Sequence, residues 1–408
     1  MKSTKMVLFG VFSTVFFLLF FVAQTASAET YVIGSSLAIT GPTSDAGNPY
    51  SKGIVDYCKY TNDMKLLGND KVKCIVRDDA YQTATTKRNF EDFMDQDMVI
   101  YLNYSTGSTL GLKKDFEEEK IPVLPASFHA GNLEKSDYIF LPIASYSEQA
   151  IGLVEYVVKN HKGGTPKIAL FLHPSAFGRG PLADVKKAIA AGLKADLVEV
   201  VEHGKNLDNT AMIKRLLSKK VQYVISQTVQ SPVATLLKDA SRLGKVASKF
   251  GQKGKLTFMG AHYTGGNDLI ALAGKASENY FWTTSYTLTS VESAGTDAQR
   301  ALAKRYGRDS KVAESHNYTN GIMVTQVAVE AIRRAKTKGM KISKKALYDE
   351  LNQMNGFNSY YPGTTVGPVA YSKTDRAGVD TLQLYKVKTG VFRAVGNPFV
   401  PEFAKKIN

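Results

Sequence analysis

The feature that most constrains this 408-residue chain is a repeated rhythm in which short apolar runs alternate with longer helix-forming stretches. Residues 31–37, 72–76, 98–102, 121–124 and 138–141 read as strands, and helices are predicted over 48–64, 83–96 and 107–120. The rhythm restarts with a helix over 147–159. Strands at 168–172, 197–200, 221–225 and 256–259 then alternate with helices near 181–194, 209–219 and 231–243. Strands that are apolar on both faces, with a helix in each connection, imply parallel sheets covered on both sides. Two such series predict an α/β chain of two lobes with a cleft between them. In open α/β sheets ligands bind beyond the carboxyl ends of the strands, so the loops after each strand are where binding residues are expected.

The first 28 residues obey a different logic. Lys2 and Lys5 precede an apolar run from Met6 to Val22, and Ala26-Ser27-Ala28 supplies small residues at the positions a signal peptidase reads. The run sits at the bottom of the range that spans a membrane, and no basic stop-transfer cluster follows it. A signal peptide over 1–28, cleaved after Ala28, is therefore expected rather than an anchor, with the mature protein in the periplasm. No Cys lies near the site to take a lipid. No comparable apolar stretch follows, so no direct membrane insertion is expected after cleavage.

The formal net charge is +15, which raises the question of a polyanionic partner. The lysines are scattered over predicted helix faces (Lys186, Lys187, Lys194, Lys214), and no nucleic-acid motif accompanies them, so no nucleic-acid partner is expected. The chain has two cysteines, Cys58 on a predicted helix and Cys74 on the following strand. In an exported chain they are either a disulfide or two buried thiols; with no paired His they make a poor metal site. Gly-x-Ser-x-Gly, a P-loop, His-Glu-x-x-His and Cys-x-x-Cys are all missing from the sequence. No enzyme, metal or cofactor is expected.

The loops after the strands carry a series of short landmarks. They are Thr40-Gly41-Pro42, Asp78-Asp79-Ala80, Tyr104-Ser105-Thr106-Gly107-Ser108-Thr109, Pro125-Ala126-Ser127, Phe177-Gly178-Arg179-Gly180, Phe258-Met259-Gly260 and Gly367-Pro368-Val369. In this order, each at a strand end, they resemble the branched-chain amino-acid-type (Leu/Ile/Val-binding-like) periplasmic substrate-binding proteins of ABC importers. The resemblance covers nearly all of the mature chain. It implies the type I periplasmic binding fold: two Rossmann-like lobes with parallel central sheets, joined by a three-crossover hinge. The crossovers are expected near 142, 284 and 365. Lobe 1 is then 29–142 with 285–365, and lobe 2 is 143–284 with 366–408.

The resemblance also nominates a site. Ser105 and Thr106 stand between a strand and a helix, where free backbone N–H groups and hydroxyls suit a carboxylate; the same residue types also serve as plain helix caps. Tyr104, Ser105, Thr106, Ser127 and His129 map to ligand-touching positions on lobe 1, and Phe177, Thr228, Val229 and His262 to the facing side of lobe 2. Trp282 is the only tryptophan and is read as a hinge-packing aromatic.

Amino-acid binders of this family usually place an acidic residue about where His262 stands, to meet the ligand ammonium, and Ala46 stands where an aromatic is common. Asp45 or Asp78 could substitute for the acid. The ligand is accordingly expected to be a small carboxylate, either an amino acid or an aromatic or aliphatic acid, with an amide or urea-type compound as an alternative. The function implied is solute capture by hinge closure for the permease subunits of an importer, by a monomer. The rival reading is a ligand sensor of the same fold feeding a separate receptor.

Overall fold

The structure, a computed structural model, describes residues 28–204, 208–288, 291, 294–357 and 365–407. The expected signal segment lies outside these residues but for Ala28. The chain opens with β1 (Thr30–Leu37), α1 (Ser44–Asp63), β2 (Lys71–Asp78), α2 (Thr83–Met94), β3 (Met98–Asn103), α3 (Thr106–Gly111) and α4 (Lys113–Glu119). These form a parallel sheet in the order β2-β1-β3. After its first residue β1 is buried along its whole length, as a central strand covered on both faces must be.

The two further strands expected here, at 121–124 and 138–141, are reduced to single parallel bridges, Tyr101 to Val123 and Val123 to Ile139. Pro122, Pro125 and Pro142 explain the reduction, because proline gives the ladder no N–H. The helix expected over 107–120 is two helices that meet at Leu112.

The second lobe runs α5 (Tyr146–Asn160), β4 (Lys167–Leu172), α6 (Ala176–Arg179), α7 (Leu182–Ala190), β5 (Asp196–Glu202), α8 (Thr210–Ser218), β6 (Tyr223–Gln227), α9 (Gln230–Arg242), β7 (Thr257–Gly260), α10 (Asn267–Ala273) and β8 (Phe281–Thr284). Ser145 starts α5 with a capping box, its hydroxyl on the Glu148 amide and the Glu148 carboxylate on its own N–H.

The chain then returns to the first lobe with α11 (Ala294–Arg305), α12 (Ser310–Ala313), α13 (His316–Thr337) and α14 (Lys344–Leu351). It ends on the second lobe with β9 (Leu382–Lys388), β10 (Val391–Phe399) and α15 (Glu402–Ile407). The second sheet has the order β10-β9-β8-β7-β6-β4-β5, parallel from β5 to β8. β9 and β10 add to it antiparallel, so this sheet is mixed rather than wholly parallel.

The chain changes lobes around Pro142: Leu141 still pairs with Ala377 of the first lobe, and Ala150 already packs in the second. It changes again after Thr284, since Tyr286 joins the first core. The third change falls later than 365. Val369, Tyr371 and Val379 pack into the first core with Phe140, and the chain reaches the second sheet only at Leu382. Cys58 of α1 and Cys74 of β2 are joined by a disulfide, with Cα atoms 6.2 Å apart. Among the described residues no helix is long and apolar enough to cross a membrane.

Candidate functional site

The first core does not stop at the lobe boundary, for Phe177, Val229 and Tyr263 of the second lobe pack into it. At that junction lies a narrow cavity of about 20 Å³, lined by Thr43, Tyr81, Tyr104, Ser105, Thr106, Ala126, Tyr146, Phe177, Val229 and Tyr263. That is room for about one water, far below the roughly 300–1,000 Å³ of drug-sized ligand sites, so a ligand enters only when the lobes part or the lining side chains move. A wider groove runs along α5, β10 and α15, but it touches none of the cleft loops.

Strand ends position the cavity wall. Tyr104 and Ser105 follow β3, and the Ser105 Oγ caps α3 by accepting the Ser108 N–H at 3.1 Å. The first backbone helical bond runs from Thr109 N–H to Ser105 O, so the Thr106 and Gly107 amides precede the ladder, as the first N–H groups of any helix do. Behind Thr106 a relay fixes the direction of each hydroxyl. Asn132 Nδ2 donates to Ser127 Oγ at 3.1 Å, and Ser127 Oγ donates to Thr106 Oγ1 at 2.8 Å. The Thr106 hydroxyl hydrogen is thereby left to donate elsewhere, and Thr106 lines the cavity.

Four tyrosines supply most of the remaining polar surface. Burial holds the phenols of Tyr104, Tyr146 and Tyr263 above their usual range and pushes Tyr81 up to about 12. All four are neutral hydroxyls at physiological pH. The Tyr104 hydroxyl donates to Thr43 O at 3.2 Å, and the Tyr263 hydroxyl reaches across the cleft to Ala126 O at 2.7 Å. Thr43 Oγ1 is buried with no partner. No described lining residue carries an ionised side chain.

Of the nine residues nominated from the sequence, Tyr104, Ser105, Thr106, Phe177 and Val229 line this cavity, and Ser127 stands one hydrogen bond behind it. The other three do not line it. His129 caps the turn at 130–132 through Nδ1 and packs on Gly180 across the cleft, where a Cβ would come within 2.9 Å of its ring. Thr228 Oγ1 pairs with His203 Nε2 at 2.9 Å. His262 is wholly buried beside the second crossover: Nδ1 meets Thr284 Oγ1 at 2.8 Å and Nε2 meets Asn320 Nδ2 at 2.9 Å.

Trp282 is buried next to it and donates to His262 O at 2.8 Å, as a hinge-packing aromatic would. Neither carboxylate considered as a substitute acid lines the cavity. Asp45 binds Ser231, and Asp78 accepts from the amides of Ile39, Thr40 and Ala80.

Thr43, Tyr81, Ala126, Tyr146 and Tyr263 complete the wall and were not nominated. Tyr81 directly follows the landmark Asp78-Asp79-Ala80, and Tyr263 directly follows the nominated His262, so each lay one residue beyond a position the sequence singles out. The geometry defines a class: a two-lobed protein whose strand ends meet around a small cavity at the lobe junction. The profile of the periplasmic binding protein family matches residues 30–391.

A branched chain amino acid ABC transporter protein of Thermus thermophilus, solved with bound valine, is 42% identical over 93% of this chain and 99% of its own, with a TM-score of 0.87. An ABC transporter substrate-binding protein of Aeropyrum pernix is 21% identical over 92% of this chain and 97% of its own, with a TM-score of 0.80, and shares the fold. A leucine-, isoleucine-, valine-, threonine- and alanine-binding protein of Pseudomonas aeruginosa is 23% identical over 63% of this chain and 67% of its own. The chain belongs to the periplasmic binding protein family, in its Leu/Ile/Val-binding-like branch.

Proposed function

We propose that this protein captures a small aliphatic amino acid between its lobes and delivers it to the permease subunits of an ABC importer. The observation that carries the ligand class is the Asn132–Ser127–Thr106 relay, which leaves a hydroxyl donor beside the amides at the start of α3, a fit for one carboxylate. A zwitterion brings no net charge, which suits a cavity walled by neutral groups. Its ammonium finds oxygen acceptors in the unpartnered Thr43 Oγ1 and the phenols. The valine bound to the 42% identical Thermus protein supports the same choice.

A second reading is favoured by one observation, the lack of an acidic side chain among the described lining residues: a carboxylic acid of the same shape without the amino group. We take the lobes as 29–142 with 285–379 and 143–284 with 382–408, which puts the third crossover between Val379 and Leu382. The segment 1–28 is read as a signal that sends the protein to the periplasm as a monomer.

Calorimetric titration with valine and with 3-methylbutanoate, its deaminated counterpart, tests both readings. Valine is expected to bind, and 3-methylbutanoate to bind at least tenfold more weakly; the opposite order establishes the second reading. Ser105→Ala with Thr106→Val is expected to weaken valine binding by about 100-fold, through loss of two hydrogen bonds to a charged group of about 1.5 kcal/mol each. Unchanged affinity in that double variant removes the carboxylate from the α3 loop.

A further inference from the structure

Outside the cavity, carboxylates join the lobes at several contacts, and one of them caps a helix that has no cap of its own. Helix α9 begins behind Val229, whose side chain lines the cavity and gives the helix no cap. A helix start without a side-chain cap leaves N–H groups unpaired and a positive dipole end exposed. Here the other lobe supplies what Val229 lacks. Asp45, in the first turn of α1, places Oδ2 3.1 Å from the Ser231 N–H and accepts the Ser231 hydroxyl as well. Ser231 is the second residue of α9, and the two partners are 186 positions apart in sequence.

A matching contact runs the other way: Asp268 of α10 accepts the His316 N–H at 2.9 Å, at the start of α13. Both carboxylates border one crevice at the lobe seam, with Gln230, Ser310 and Lys311. Among the described residues no group of acidic, His or Cys side chains there is arranged to hold a metal ion.

We propose that Asp45 is an affinity-determining residue that never touches the ligand: it latches the closed state by capping α9 of the opposite lobe. The proposal rests on ligand capture by lobe closure. A contact made in only one of two states biases the equilibrium by its full free energy. Closure brings Asp45 to α9; opening returns both the carboxylate and the amides to water. The same loop that shapes the pocket through Val229 therefore also reports whether the pocket is shut.

Spin labels on exposed Lys114 and Lys186, one in each lobe, measure the closed fraction without ligand, and titration with valine measures affinity. Asp45→Ala is expected to lower the ratio of closed to open ligand-free protein roughly fivefold, the effect of about 1 kcal/mol at a helix N-terminus. Where the free protein is mostly open, valine affinity falls by the same factor. Asp45→Asn, which keeps an acceptor but loses the charge, is expected to fall between. Ser231→Ala, which removes the hydroxyl contact and keeps the amide one, is expected to give a smaller fall than Asp45→Ala, and Asp45→Asn serves if Asp45→Ala does not fold. A closed fraction unchanged in Asp45→Ala, or in Asp45→Asn where the alanine variant does not fold, overturns the latch. Wild-type protein that ignores valine overturns the ligand reading instead, since the label distances need no ligand.

Discussion

The imidazole of His262 is held on both nitrogens. Nε2 lies 2.9 Å from Asn320 Nδ2 and Nδ1 lies 2.8 Å from Thr284 Oγ1. His316, Phe128, Tyr263 and Tyr286 enclose the ring. Burial drives its pKa well below the usual value, so it is neutral. A group tied on every side at a crossover, and outside the cavity lining, is expected to act on the hinge rather than on the ligand. His262→Ala is expected to cost about 3 kcal/mol, because it strands two buried polar partners, while leaving the order of ligand preference unchanged. Urea unfolding and a ligand panel check the two halves; a changed ligand order with unchanged stability would return His262 to the pocket. Thr106 is the opposite case, since Ser127 takes its acceptor side and leaves its proton pointing among the hydroxyls of the cavity wall.

Among the elements, the crossing of α1 and α13 organises the first lobe. A Cβ on Gly321 would lie 2.0 Å from Tyr50 O, and one on Gly53 would lie 2.3 Å from Tyr318 O. The backbones approach too closely for any side chain at either place. Arg308 reinforces the pair by gripping the wholly buried Asp56 with two hydrogen bonds of 2.7 Å, and the Tyr318 hydroxyl adds a third contact at 2.9 Å. Gly321→Ala is expected to cost about 1–3 kcal/mol by forcing the helices apart. Gly164→Ala, in a turn with nothing within 4 Å, is the control and is expected to be near neutral. Equal midpoints for the two variants in urea would show that the crossing tolerates a methyl.

For the whole molecule, the seam between lobes carries a pH signature. His173 faces Tyr81 across the cleft, with ring centroids 6.0 Å apart. Burial, aided by the nearby His203, lowers its pKa to about 4. Its folded pKa is thus below the unfolded value near 6.5, so the unfolded chain binds the proton first. The stability that His173 contributes is present above pH 6.5 and is lost as pH falls toward 4. His173→Asn is therefore expected to lose less stability than the parent between pH 6.5 and pH 4, measured by urea unfolding at each pH. Parallel losses in the two proteins would mean that His173 titrates normally.

Period and punctuation determined the architecture: apolar strands alternating with helices, read along the chain, already implied two α/β lobes, and the start of α3 behind Ser105 was legible as a donor-rich loop. Such signals are local, because burial on both faces and helix capping leave marks within a few residues. The hairpin β9–β10 and the late third crossover were decided by the tertiary structure, since β9 is defined by its pairing with β8, about a hundred positions away. The same holds for Tyr81, Tyr146 and Tyr263. Any of them reads as an ordinary buried aromatic, and only the meeting of two strand-end clusters makes them one wall. His262 shows the converse: the resemblance nominates it, but its direction is set by Thr284 and Asn320, partners that come beside it only when the hinge is assembled.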